Sequence, residues 1–194
     1  MASLAVRETL RCVIEFVQAA RYKCVLAFWD IGMIIRPETQ ADIAAVRAVV
    51  TEAFGQVAEA DLVDSLRDSG DSIISLVAEE QGAIVGHILF SKLQAPGQCL
   101  ALAPVSVAPG HQKQGVGSRL IKDGLARAKD DQWKAVFVLG EPDYYTRFGF
   151  DLTLAEKFET DYPKPYFMAL ELAPNALAER DGAIIYAAPF LALE

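Results

Sequence analysis

Near the middle of the chain the apolar run LAPVSVAPG passes into HQKQGVGSRL, residues His111–Leu120, and the pattern changes from a strand to a helix across two closely spaced glycines. Ala101 to Val107 reads as a strand. Val116 to Lys129 reads as a helix, with Val116, Leu120, Ile121, Leu125 and Ala128 recurring on one side as a buried stripe. A helix with one apolar stripe has to lay that stripe on another layer, and a strand leading straight into it makes a sheet the expected partner.

The segments on either side extend this reading. Ile34 and Ile35 begin a short strand before Pro37, and Thr39 with Asp42 three residues later resembles a capping box, its acidic residue opposing the helix dipole. The helix that follows should bury Ile43, Val46, Val50, Ala53 and Phe54 and stop at Gly55, and a second near Glu59 to Asp68 should bury Leu62, Val63 and Leu66. ISLVAEEQGAIVGHILFSKL reads as a hairpin turning at Gln81 and Gly82. KAVFVL, Lys134 to Leu139, suits an interior strand covered on both faces, and two further strands are expected around Tyr166 to Leu172 and Ala183 to Ala188. The expected class is α+β, with one mixed, mostly antiparallel central sheet flanked by helices.

The chain has 194 residues, of which 53% are hydrophobic, enough to build the core of one domain. Its formal net charge of -8 argues against nucleic-acid binding, because phosphate backbones select basic faces. Cys12, Cys24 and Cys99 are too few and too scattered for a disulfide framework or a zinc site, so no metal is expected and the usage fits a reducing cytoplasm. No apolar stretch has the length of a membrane span. Residues 1–32 are apolar enough to suggest a signal peptide, yet Arg7, Glu8, Arg11, Glu15, Arg21 and Lys23 interrupt every candidate hydrophobic region. They read as an extension ahead of a domain spanning 33–194. Val13, Ile14, Phe16, Val17 and Ala20 are spaced for a helix that pads that domain or mediates self-association as a homodimer; an upstream segment without a role stands open beside it.

Two familiar phosphate-binding patterns fail on the glycine loop. Gly110 and Gly115 have the outer spacing of a P-loop, but Val116 and Gly117 stand where that mechanism needs Lys and then Ser or Thr. In the dinucleotide fingerprint the third glycine position is taken by Leu120. A ligand-free turn remains the plain structural alternative for such a glycine pair.

The loop QKQGVGSRLI, with Gln112, Gly115 and Gly117, resembles the pyrophosphate loop of the GCN5-related N-acetyltransferases, whose core is Gln/Arg-x-x-Gly-x-Gly/Ala. YYTRFGF is similar to that family's second signature, which Tyr145, Arg147, Gly149 and Phe150 fill. The resemblance covers 33–194 and implies the GNAT fold, acetyl-CoA as cosubstrate and transfer of acetyl to an amine acceptor, a primary amine of a small molecule or protein, by direct attack. It implies a strand splayed before the loop, with Val105 and Val107 contacting the pantetheine arm. Gln112, Lys113, Gln114, Gly115, Val116, Gly117 and Ser118 then cradle the pyrophosphate. Glycines let backbone N–H groups approach closely and a helix N-terminus adds partial positive charge, so an acidic protein can still hold this anion. Gln112 replaces the commoner Arg and Lys113 the commoner Gly.

Tyr145 matches the family tyrosine beside the thioester sulfur and is the expected general acid. A phenol near 10 can donate to a thiolate near 8.5 when geometry allows; the alternative is a tyrosine that only packs. The base is not assigned. Relatives carry a Glu near the strand before the loop, and LALAPVSVAPG has none. Glu59, His87, Glu141 and Asp143 are the candidates, each also readable more plainly, as helix surface charge, a strand histidine and two solvated loop acids. The missing Glu keeps a second class in view, a non-catalytic acyl-CoA-binding module.

Overall fold

The computed structural model describes residues 32–160, 162 and 164–193, so the expected N-terminal helix lies outside the described residues, as do Cys12 and Cys24. Strand β1 (Met33–Pro37) leads through the capping box of Thr39 and Asp42 into α1 (Ile43–Phe54), which ends at Gly55 with φ 73°. There follow α2 (Ala58–Asp68), β2 (Ser72–Glu80), β3 (Ala83–Ala95), β4 (Gly97–Val107), α3 (Val116–Asp130) and β5 (Ala135–Leu139). The remainder holds short α4 (Pro142–Tyr145) and α5 (Leu152–Ala155), then β6 (Phe158–Glu159), β7 (Phe167–Glu171), β8 (Gly182–Ala183) and β9 (Ile185–Tyr186).

The main sheet runs β1-β2-β3-β4-β5-β7, with β9 added alongside β3. β4 and β5 pair in parallel, whereas β2–β3, β3–β4, β3–β9 and β5–β7 are antiparallel. The parallel step is the one whose connection carries α3, as a return between parallel strands requires a helix-length connection. The fold class therefore agrees with the sequence reading.

Helix α3 covers one face of the sheet, with Leu120 and Val116 closing over Gly86. The expected stripe is buried at Val116, Leu120, Ile121 and Ala128, but Gly124 takes the place assigned to Leu125, which is half-buried. The Phe90 ring occupies that space, so close that a Cβ on Gly124 would sit 2.3 Å from its Cε2. On the opposite face α1 and α2 pack Val46, Val50, Leu62, Val63 and Leu66 against Val77, Leu89 and Phe190. A second apolar cluster, centred on Phe137 between the edge-on ring of Phe158 and the stacked ring of Phe167, lies under the C-terminal segment.

Two local expectations are corrected. Phe54 is not on the buried face of α1; Val49 is, and Phe54 is 43% exposed at the last turn. The strand expected over Ala183 to Ala188 is divided, because Gly182–Ala183 pairs with β6 while Ile185–Tyr186 pairs with β3. One extended stretch thus serves two sheets.

Candidate active site

Strands β4 and β5 pair only from Cys99↔Ala135 to Leu102↔Val138, and beyond Leu102 the β5 side of β4 has no partner strand among the described residues. Pro104 has no N–H to give to a ladder, which confines it to edges and irregularities. The β3–β4 register shifts at the same place, Phe90 facing Leu102 while Ile88 faces Val105, so β4 carries one extra residue there. A bulge bends the strand that bears it. The result is a V between β4 and β5 with the backbone of Ala103 to Val107 along one arm.

A cavity of about 760 Å³ occupies the V, with Val105, Val107, Gln112 and Lys113 on its β4 side. Gly115, Val116, Gly117 and Ser118 close it at the helix end. The turn takes left-handed backbone at Lys113 (φ 59°) and Gly115 (φ 88°). The first bond of α3 is from Arg119 N to Gly115 O, 3.0 Å, so the amides of Val116, Gly117 and Ser118 stand ahead of the helical ladder as donors for an anion. Gln112 Nε2 donates to Val107 O at 3.1 Å and ties the turn to the strand end. Gln114 is not among the residues around the cavity; its Nε2 donates to Gly110 O at 2.8 Å and braces the turn from outside.

The second motif folds against the first. Tyr144 brings its hydroxyl to Gly117, where an added Cβ would lie 3.0 Å from Oη. The Arg147 guanidinium rests 4.1 Å from the centre of the Tyr144 ring and 4.8 Å from that of Phe148, and its Nη2 donates to Ser118 Oγ at 3.2 Å. This cation, which the sequence reading placed in the motif without a site role, therefore stands at the rim of the anion turn. The signal for it was the Lys/Arg position of the motif itself.

Tyr145, 9% exposed, borders the same cavity. Its ring fits over Gly140, where any Cβ would come within 2.3 Å of Cε2, and it meets Tyr144 and Phe150 edge-on. Burial, followed by the neighbouring Tyr144, pushes its phenol up to about 12, so it is protonated at neutral pH.

The four candidate bases separate clearly. His87 is fully buried beneath α1 and α2, its Nε2 2.8 Å from Ser75 Oγ, and burial lowers its pKa. Asp143 is exposed, and Glu141 is an exposed residue at the edge of the first cavity. Glu59 borders a second cavity of about 490 Å³ that shares Phe54, Val105 and Tyr145 with the first. Sequence reasoning did not foresee this second chamber, since its walls come from α1, α2, β4, β5 and the C-terminal segment.

Residues 43–150 match the family model described as Acetyltransferase (GNAT) family. The chain is 40% identical over 134 residues to Uncharacterized N-acetyltransferase YjhQ of Escherichia coli (strain K12), covering 66% of this chain and 72% of that protein. It is 32% identical over 160 residues to Uncharacterized N-acetyltransferase YhbS of the same organism, covering 79% and 96%. Among solved structures, YhbS from Escherichia coli in complex with CoA superposes with a TM-score of 0.79 at 30% identity, over 83% of this chain and 93% of that one. A GNAT family acetyltransferase from Brucella melitensis in complex with acetyl-CoA gives 0.70 at 34% identity, over 81% and 97%.

Proposed function

The chain belongs to the acetyltransferase (GNAT) family, and from that premise we propose how its own residues divide the work of an acetyl-CoA-dependent N-acetyltransferase. The V between β4 and β5, closed by the glycine turn at one end and by Tyr145 at the other, is the observation that carries the reading. Val105 and Val107 offer backbone groups to the pantetheine amides. The amides of Gly115 to Ser118, with Gln112, Lys113 and Arg147 at the rim, hold the pyrophosphate, and Gln114 braces the turn.

In the transfer the amine nitrogen bonds to the thioester carbonyl carbon, the carbon–sulfur bond breaks, and its electron pair goes to sulfur. Tyr145 gives that sulfur its proton and recovers one from the proton the amine releases. A phenol held near 12 keeps its proton at neutral pH and is a weak acid towards an ordinary thiolate, so the proton passes as charge builds on the departing sulfur.

Residues 33–194 form the catalytic domain in this reading and 1–32 an extension. The cytoplasm is its proposed location, supported by a free buried cysteine, and self-association through the extension belongs to the same proposal. No helix among the described residues is long and apolar enough to cross a membrane.

Coenzyme A should raise the unfolding temperature by mass action on the native state. Gly117→Glu should abolish that rise by placing a charged side chain against Tyr144 and the pyrophosphate. Tyr145→Phe should keep it while kcat falls about 10²-fold or more. Full turnover in the Phe variant would remove the acid role, and unchanged stabilisation in Gly117→Glu would remove the turn from the cofactor site.

A further inference from the structure

The chamber behind Tyr145 has a composition that limits what can enter it. Leu62, Leu102, Leu139, Phe54 and Phe190 make its wall apolar, and Glu59 is the acid among the described residues around it. Tyr186 also borders it, and the Tyr186 hydroxyl is buried without a hydrogen-bond partner among the described residues. It is joined to the cofactor wedge through Phe54, Val105 and Tyr145, which border both. Whatever fills it therefore lies next to the proposed acid and opposite the pyrophosphate turn.

We propose, resting on the acetyltransferase reading above, that this chamber holds the acceptor and selects a small primary amine carried on an apolar body of about aromatic-ring size, its ammonium pairing with Glu59 on entry and losing its extra proton to solvent before the neutral amine attacks. Three features point to that class. A volume of about 490 Å³ suits a small molecule. A multiply charged acceptor would leave charges against leucine and phenylalanine, which is costly without partners. A single ammonium on an alkyl or aryl body leaves none stranded, because Glu59 takes the charge and the wall takes the rest. A polyamine or aminoglycoside needs several carboxylates, and the described residues around the chamber supply one.

Glu59 lies in the first turn of α2, where Gln56 Nε2 contacts both carboxylate oxygens at 2.9 and 3.1 Å. Gln56 steadies the carboxylate at the chamber wall, and an incoming ammonium pairs with it more strongly than a neutral amide does.

The test is thiol release from acetyl-CoA by the full chain with 2-phenylethylamine, 3-methylbutylamine, spermidine, kanamycin and a lysine-containing peptide. The two apolar amines are expected to exceed the others in kcat/KM by about 100-fold, the scale on which hydrophobic pockets and unpaired polar groups discriminate. Glu59→Gln should raise the KM for 2-phenylethylamine about 10- to 100-fold, as loss of a charged hydrogen bond does. Its stabilisation by coenzyme A and its inhibition by 2-phenylethanol, a neutral isostere, should match the wild type. Leu139→Glu, at a position 40% exposed and so safe for folding, adds a second carboxylate and should shift preference towards spermidine. Preference of the wild type for spermidine, kanamycin or the peptide would overturn the acceptor class while leaving the transferase reading intact, and so would turnover of none of the five by a protein that coenzyme A stabilises. Absence of stabilisation by coenzyme A would instead remove the transferase reading and this proposal with it.

Discussion

Lys113 occupies left-handed backbone, φ 59°, at a position where a glycine would sit without strain. That conformation costs a side-chain-bearing residue about 1–2 kcal/mol, while glycine would lose about 0.5–1 kcal/mol through its freer unfolded chain. Lys113→Gly should therefore leave stability unchanged or raise it by no more than about 1.5 kcal/mol. The lost cation has the opposite consequence for binding: affinity for coenzyme A should fall about 2- to 10-fold at low salt, and the fall with added salt should become shallower. Calorimetric titrations at two ionic strengths check both statements, and an unchanged salt dependence would take Lys113 off the phosphates. Gly117 and Tyr145 were legible at this scale because each sits in a short motif whose spacing reports its environment. Phe54 was not, because its helical phase placed it with the core, and only the open cavity beside it explains an aromatic ring 43% exposed.

Between elements, one buried polar chain ties the loop after β1 to α2, β2 and β3. Ser75 Oγ donates to Glu38, His87 Nε2 stands 2.8 Å from the same hydroxyl, and Arg67 Nη2 donates to Glu38 Oε1 at 2.7 Å. The neutral Nε2–H tautomer of His87 satisfies this order, its one proton shared between Ser75 Oγ and Glu38 Oε2, the latter 3.5 Å away, while Nδ1 has no hydrogen-bond partner among the described residues. Burial works against ionised Glu38, but the hydrogen bonds from His87 and Ser75 and the charge of Arg67 outweigh it and hold the carboxyl at about 2 instead of 4.5. A depressed carboxyl contributes stability above its unfolded pKa and loses it on acidification, here between pH 4.5 and about 2, a contribution of about 3 kcal/mol. Burial lowers His87 as well, so the unfolded chain takes up that proton first and stability begins to fall below the ordinary 6.5. Urea unfolding across the acid range should show both stages, and Glu38→Gln should be destabilised at neutral pH and lack the lower one. Periodicity made the helices and strands legible, and it placed His87 on a strand. It could not pair His87 with Glu38 and Ser75, because that chain depends on which strands become neighbours.

For the whole molecule, a chain shortened to 33–194 should fold and respond to coenzyme A as the full chain does. Equal unfolding temperatures and equal shifts would support the extension's independence, whereas insolubility or lost binding would place it in the core or at an interface. The net charge of -8 does not prevent an anionic partner from binding, because the donors at the turn are backbone amides whose dipoles are independent of the side-chain total. What the amino-acid order determined by itself was local: the apolar stripe of α3, the capping box before α1, the turn at Gln81 and Gly82, the glycine turn before α3 and the tyrosine motif. Each depends on neighbours within a few residues, so spacing alone expresses it. Tertiary structure decided the splay beside Pro104, the docking of Arg147 on Ser118, and the chamber that gathers Glu59, Leu139, Tyr186 and Phe190 around Tyr145. Those groups come from separate elements, and no period in the sequence records which elements will meet; that is settled only when the apolar faces find the packing that buries them together.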